Sequence, residues 1–297
     1  MILDKLQKKN LISPPTWLVE NTHYITMMGS EAYGCSSGSS DIDLYGFCIP
    51  RKVDAFPHLK GEIFGFGRQT QRFEQYQQHH IKDESAGKEY DITVYSIIKY
   101  FQLLMENNPN ITDSIFTPRR CILHVTPVGE MVRENRKLFL HKGSYHKFRG
   151  YFFQQLHKIR TKVNASNERR AENIEQYGYD LKYAYHVVRL GLECEQILST
   201  HDLNLERDRE VYKSIRRGEW TIEKLEEWAS EKEKHLEKLY TESTLAHVPD
   251  EAKIKQLLID CLEHHYGTLQ DAVKIETSAD MVLDDLEKLL IKYRGIK

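Results

Sequence analysis

The chain of 297 residues contains no apolar run of about 18 residues, so nothing in it reads as a membrane-spanning helix. Its start, MILDKLQKKNLISPPTW, lacks the long apolar stretch and small-residue cleavage site of a secretory signal, and a cytoplasmic protein is expected. Cysteine is sparse: Cys35, Cys48, Cys121, Cys194 and Cys261 are far apart, odd in number and never spaced as CxxC. That excludes a disulfide framework and a thiolate zinc site, leaving reduced packing thiols. There are no internal repeats and no low-complexity tract beyond CSSGSS at 35–40. Net charge is also small, at −2, which speaks against indiscriminate adhesion to polyanions.

The near-neutral sum hides an internal asymmetry. Residues 131–170 hold eleven Lys and Arg against two acids, whereas 219 to the end holds eighteen acids against eleven bases. A basic stretch of this kind fits a local anionic partner, nucleic acid or nucleotide phosphates, or else a solvated helix face.

The pattern changes along the chain. HYITMMG, IDLYGFCI, the IFGFG stretch after Glu62, the segment around RFEQYQQHHIK and EYDITVYS are short β-branched and aromatic runs bounded by Gly, Ser and Pro, which predicts strands. IIKYFQLLMENNP then takes helical spacing until Asn-Pro stops it. Beyond about residue 140, periodicity predicts helices over SYHKFRGYFFQQLHKIRTKV, IEQYGYDLKYAYHVVRLGLECEQIL, IEKLEEWASEKEKHLEKLY, EAKIKQLLIDCLEHHYGTL and ADMVLDDLEKLLIKY. The expected architecture is α+β: a catalytic domain over 1–135 with a mixed, mostly antiparallel sheet flanked by helices, then an all-helical domain over 136–297 that completes a cleft.

Chemistry concentrates in GSEAYGCSSGSSDIDLYG. On a strand, Asp41 and Asp43 share one face while Ile42 and Leu44 face the core. Two carboxylates on one face repel each other, so a divalent cation between them is the natural partner, and hard oxygen ligands suit Mg²⁺ or Mn²⁺. Gly29 permits close approach of a ligand, and the Ser30 hydroxyl and neighbouring N–H groups can face phosphate oxygens. A two-metal site needs a third carboxylate, for which Asp91 in EYDITVYS is the best candidate. The small residues of CSSGSS leave the loop tip flexible and place the chemistry at its two ends.

This arrangement resembles the nucleotidyltransferase signature of the DNA polymerase β superfamily, in which GS precedes a D-x-D by about ten residues and a third Asp follows later. More narrowly, GSEAYG, SDIDLYGFCIP, EYDITVYSIIKYFQLLMENNPN and GYDLKYAYHVVRL resemble, in order, the bacterial and phage group known as the RNA repair pathway DNA polymerase beta family. The resemblance implies Asp41, Asp43 and Asp91 as metal ligands and Gly29 and Ser30 as phosphate contacts. Two positions depart from it. ITDSIF places Asp113 where relatives have Glu, with polar Thr112 and Ser114 beside it, and Tyr45 stands where a basic residue is frequent.

The predicted helix through GYDLKYAYHVVRLGLE aligns Lys182, His186, Arg189 and Glu193 on one face. The three cations are candidates to reach triphosphate oxygens or an RNA backbone, with Glu193 fixing Arg189; the alternative is an interdomain salt-bridge face. Lys213, Arg216 and Arg217 form a basic helix end that reads as a solvated face, the alternative being a contact that helps hold a polynucleotide. The adjacent pairs His79-His80 and His264-His265 point apart on a regular element and make poor metal sites. The expected activity is Mg²⁺-dependent transfer of a nucleoside monophosphate from an NTP to a hydroxyl, an RNA 3′ end being favoured. A protein hydroxyl as acceptor and a non-catalytic binding module are the alternatives.

Overall fold

Five strands form one sheet: β1 (Thr22–Met27), β2 (Ile42–Cys48), β3 (Gln75–Asp83), β4 (Lys88–Ser96) and β5 (Ile122–Val125), in the order β3-β4-β2-β1-β5. The computed structural model describes residues 1–36, 41–69, 71–161 and 168–269. Three of the four strand pairings are antiparallel and the central one, β2 with β4, is parallel, so the sheet is mixed as expected. The alternation in β2 and β4 divides it cleanly. Leu44, Ile92 and Val94 point to one face, where they pack with Leu3, Leu6 and Leu18 of the N-terminal segment. Phe47 and, on β1, Tyr24 point to the other face and enter the main core beneath the helices.

In chain order the helices are α1 (Ile2–Lys8), α2 (Lys52–Ala55), α3 (Ile97–Met105), α4 (Pro109–Phe116), α5 (Pro127–Glu134), α6 (Gly143–Thr161), α7 (Glu168–Tyr177), α8 (Leu181–Thr200), α9 (Arg209–Arg216), α10 (Ile222–Glu242) and α11 (Glu251–Tyr266). Side-chain caps start several of them. Ser96 accepts from Lys99 N–H at 3.2 Å for α3, and Asn108 from Ile111 N–H at 3.4 Å for α4, which places Pro109 where its missing N–H costs nothing. Among the described residues all strands precede residue 126 and only helices follow, matching the expected change of pattern. Among the described residues no helix is long and apolar enough to cross a membrane, and all five cysteines are buried and unpaired with one another.

Two expectations need correction. IFGFG is not a strand but a turn, with Phe64 and Phe66 exposed, because Gly65 and Gly67 both take positive φ and break any ladder. The single helix expected from Ile174 through Leu198 is two. Gly178, at φ +82°, ends α7, and Asp180 restarts the chain as α8 by accepting Lys182 N–H at 2.8 Å. The expected helix ADMVLDDLEKLLIKY lies outside the described residues, as does the loop tip at 37–40.

The two oppositely charged segments meet each other. Arg149 pairs with Glu233 at 2.5 Å and Arg160 with Glu226 at 3.0 Å, while Lys137 reaches Asp202 at 2.6 Å and Lys147 reaches Glu106 at 3.2 Å. Arg133 is buried, donating to the Tyr24 hydroxyl and the Thr117 carbonyl. These exposed pairs add little stability but occupy the cations.

Helix α11 returns to the first half and packs on α5. At that seam His23 contacts Thr126 Oγ1 at 2.7 Å through Nδ1 and His265 Nδ1 at 3.0 Å through Nε2. Burial, with His265, His124 and His264 nearby, lowers the His23 pKa to about 3. A histidine held neutral in the fold takes up a proton more readily once unfolded, so its contribution is complete above its ordinary pKa and is lost as pH falls from about 6.5 toward 3. Urea unfolding of the wild type is therefore expected to lose on the order of 3 kcal/mol more stability than His23→Gln between pH 7 and pH 4. Parallel pH profiles of the two proteins would refute the assignment.

Candidate active site

The parallel pairing of β2 and β4 places Asp43 directly beside Asp91. Asp41 immediately precedes β2, two residues from Asp43, and Tyr45 follows two residues after it on the same face. All four line one cavity of about 520 Å³, together with Gly29 and Ser30 from the turn after β1 and Lys182, His186 and Arg189 from α8. The eight residues singled out from sequence thus share one space.

The antiparallel partner of β2 brings the turn there. Met28 N–H donates to the Asp43 carbonyl at 2.7 Å, and the chain then turns through Gly29 at φ +65°. A Cβ at Gly29 would lie 2.5 Å from Asp43 Oδ2, so glycine is required both by the backbone and by the carboxylate beside it.

The carboxylates act on one another. Burial raises the pKa of Asp43, Asp91 raises it further, and Lys182 works in the opposite direction. Asp91 is fixed from its other side by β3. A β-bulge between Gln78 and Ile81 puts His80 at φ +54°, so that its N–H donates to Asp91 Oδ1 at 2.8 Å while His79 Nδ1 lies 3.4 Å from Oδ2. Adjacent side chains point apart on a regular strand, but at this bulge His79 and His80 reach Asp91 and Glu89, two residues apart on β4.

Asp41, Asp43 and Asp91 offer hard oxygen donors, the chemistry that suits Mg²⁺ or Mn²⁺. Among the described residues no group of three or more His, Cys, Asp or Glu side chains is placed to hold a metal ion by itself. Instead three carboxylates face a cavity wide enough for an ion that keeps waters and takes its remaining oxygens from phosphate.

Arg189 reaches the cavity wall but its charge is already engaged. Only 3% exposed, it donates through Nη1 to the Tyr33 hydroxyl at 2.6 Å, to Asp113 Oδ2 and to both Glu193 oxygens at 3.2 Å. Tyr33 in turn donates to Asp113 Oδ2 at 2.6 Å, and the guanidinium lies 4.7 Å from the centre of its ring. Burial pushes both carboxyls upward, and one guanidinium offsets one negative charge. The expected Glu193–Arg189 pair is present, but Arg189 serves to join α8, α4 and the turn after Gly29-Ser30.

Met28, Tyr33, Asn110, Asn173, Leu181, Tyr185 and Arg216 complete the lining. Asn110 follows the Asn-Pro read from sequence as a helix stop. The same dipeptide is the capped start of α4, a signal that could have located it.

The chain matches the model of the RNA repair pathway DNA polymerase beta family (RlaP) over residues 3–260. Among solved structures it is similar to a nucleotidyltransferase-like protein from Exiguobacterium sibiricum 255-15, at 11% identity and a TM-score of 0.28, covering 98% of this chain and 90% of that one. No curated protein matches it.

Replacing Arg189 by Met strands Asp113 in the core, and a loss of about 3–5 kcal/mol in urea unfolding is expected. Lys182→Met, at an exposed position, should stay within about 0.5 kcal/mol of wild type. Equal effects from the two variants would contradict the different roles assigned to these cations.

Proposed function

The chain belongs to the RNA repair pathway DNA polymerase beta family, and from that premise we propose that it transfers a nucleoside monophosphate from an NTP to a hydroxyl, an RNA 3′ end being the acceptor. The observation that carries this reading is the cavity in which Asp41, Asp43 and Asp91 face Gly29, Ser30 and Lys182. Carboxylates alone would repel a triphosphate, so a site built this way makes sense with divalent cations between the two. Mg²⁺ or Mn²⁺ held by Asp41, Asp43 and Asp91 would neutralise charge on the reacting phosphates and make the acceptor hydroxyl more acidic.

The chain's own groups supply the rest. Asp91, held by His80 N–H, takes the acceptor proton as the hydroxyl oxygen bonds to the α-phosphorus. The bond from the α-phosphorus to the bridging oxygen breaks, and pyrophosphate leaves toward Gly29-Ser30 and Lys182. We assign nucleotide capture to residues 1–135 and closure of the cleft to 136–297, with Lys182 and His186 the helical groups nearest the phosphates. The choice of RNA rests on the family; the basic stretch at 131–170 adds less than its composition suggests, since several of its cations are paired. A cytoplasmic setting, where NTP and Mg²⁺ are plentiful, follows from the same reading.

Incubation with each labelled NTP, Mg²⁺ and a panel of RNA ends tests the proposal. Label on RNA is the expected result, label on the protein points to a protein acceptor, and no metal-dependent transfer sinks both. Asp43→Asn and Asp91→Asn should each lower transfer by about 10³-fold or more, by analogy with loss of a central electrostatic group. Because Asp43 is repelled by its neighbours, Asp43→Asn should also raise the thermal midpoint without metal and abolish the further rise that Mg²⁺ gives the wild type. A metal-free midpoint that falls would contradict the strain assigned to this carboxylate.

A further inference from the structure

Three cations sit at the end of α9, and the structure separates them. Lys213 pairs with Glu210 at 2.9 Å and Arg217 with Glu219 at 2.5 Å, as on a solvated helix end. Arg216 instead lines the cavity that holds the three aspartates, half-buried. Its contacts there are Cys35 Sγ, 3.7 Å from Nη1, and the Tyr185 ring, whose centre is 5.9 Å from the guanidinium. Among the described residues no carboxylate pairs with it.

A half-buried guanidinium without a counter-ion is unfavourable by itself. A thiol is a weak acceptor and an aromatic face uses no N–H directly, so most of the donor fork remains available to an oxyanion. Its position favours one part of the substrate. Cys35 N–H donates to the Ser30 carbonyl at 3.0 Å, so the thiol touched by Arg216 closes the turn that carries Gly29-Ser30. Tyr185, on which the guanidinium rests, lies one turn beyond Lys182 on α8. Asp91, by contrast, is held from β3. Arg216 therefore belongs to the Ser30 side of the cavity, the side of the outgoing phosphates.

We propose that Arg216 binds the β- and γ-phosphates of the NTP, and then the pyrophosphate product, together with Lys182. The assignment rests on the nucleotide-transfer reading and adds a selectivity to it: Arg216 favours triphosphate over monophosphate. Neither the spacing of the motifs nor the Lys182, His186, Arg189 face points to this residue.

The full-length protein and Arg216→Gln, whose side chain still covers Tyr185, are titrated calorimetrically with Mg²⁺ and each common ribonucleoside triphosphate, the matching monophosphate, or inorganic pyrophosphate. Arg216→Lys serves as the conservative variant and the thermal midpoint as the check on folding. For the Gln variant, the NTP and pyrophosphate are expected to bind about tenfold or more weakly and the monophosphate within about twofold, with Lys intermediate. Unchanged NTP binding, or equal loss for NTP and monophosphate, overturns the role of Arg216 alone. Wild-type protein that binds none of the three ligands overturns the nucleotide-transfer reading and this assignment with it. If the Gln variant fails to fold, the comparison is made on the Lys variant, where loss confined to NTP and pyrophosphate supports the role and any other result rejects it.

Discussion

A parallel strand pair sets two carboxylates at the same level on the same face. Adjacent strands lie about 4.8 Å apart, so once β2 and β4 adopt their register, Asp43 and Asp91 cannot avoid each other. Much of the local construction answers that constraint. The pair lies where the sheet face opens into the cavity, while farther along the same face of β2 Phe47 enters the core. Antiparallel β1 delivers a glycine, the residue that can turn beside Asp43 without a clash. On the far side β3 bulges, and its backbone and His79 hold the second carboxylate. One register thus positions four elements around one concentration of negative charge.

The buried cluster of Arg189, Asp113, Glu193 and Tyr33 joins this end of the sheet to the helical half. Tyr33 follows Ser30 by three residues, Asp113 belongs to α4 and Arg189 to α8, so any shift of α8 against the Gly29-Ser30 turn strains hydrogen bonds made in a low dielectric. Polar Thr112 and Ser114 fit the same account. Both are buried, and Ser114 Oγ lies 2.7 Å from the Tyr100 hydroxyl, so the departures from family pattern in ITDSIF fall in a polar interior seam. Lys182, exposed in the first turn of α8, is on the same helix as this charge cluster, two turns away.

How much of this was legible beforehand depended on how local each cause is. Alternation in Asp41-Ile42-Asp43-Leu44 and the ten residues after Ser30 are local, and Asp91 sits in a run whose strand character is local too; these calculations of face and spacing carried over into the cavity. The break at Gly178-Tyr179-Asp180 was also local, a C-terminal glycine followed by an N-terminal cap, but strong periodicity on both sides masked it. Other features depend on residues far away in the chain. The His79-His80 bulge arises from pairing with β4, and Arg189 finds Asp113 and Tyr33 at separations of 76 and 156 residues. Charge composition is silent on pairing for the same reason, because cations of the basic stretch at 131–170 and acids after 219 meet only in three dimensions.

Viewed as charge, the cavity divides its cations by what they can still do. Arg189 is already engaged by the buried carboxylates of Asp113 and Glu193. Lys182 acts on Asp43 through space and favours its ionised form, which is the form a metal needs. Among the described residues, Arg216 contacts a thiol and an aromatic ring. A polyphosphate entering without metal meets three aspartates, and a metal entering without polyphosphate lacks oxygen ligands that the chain does not place. Each would therefore improve the site for the other, and thermodynamic reciprocity requires the two enhancements in affinity to be equal. On the nucleotide-transfer reading, metal and triphosphate would bind as a pair rather than separately.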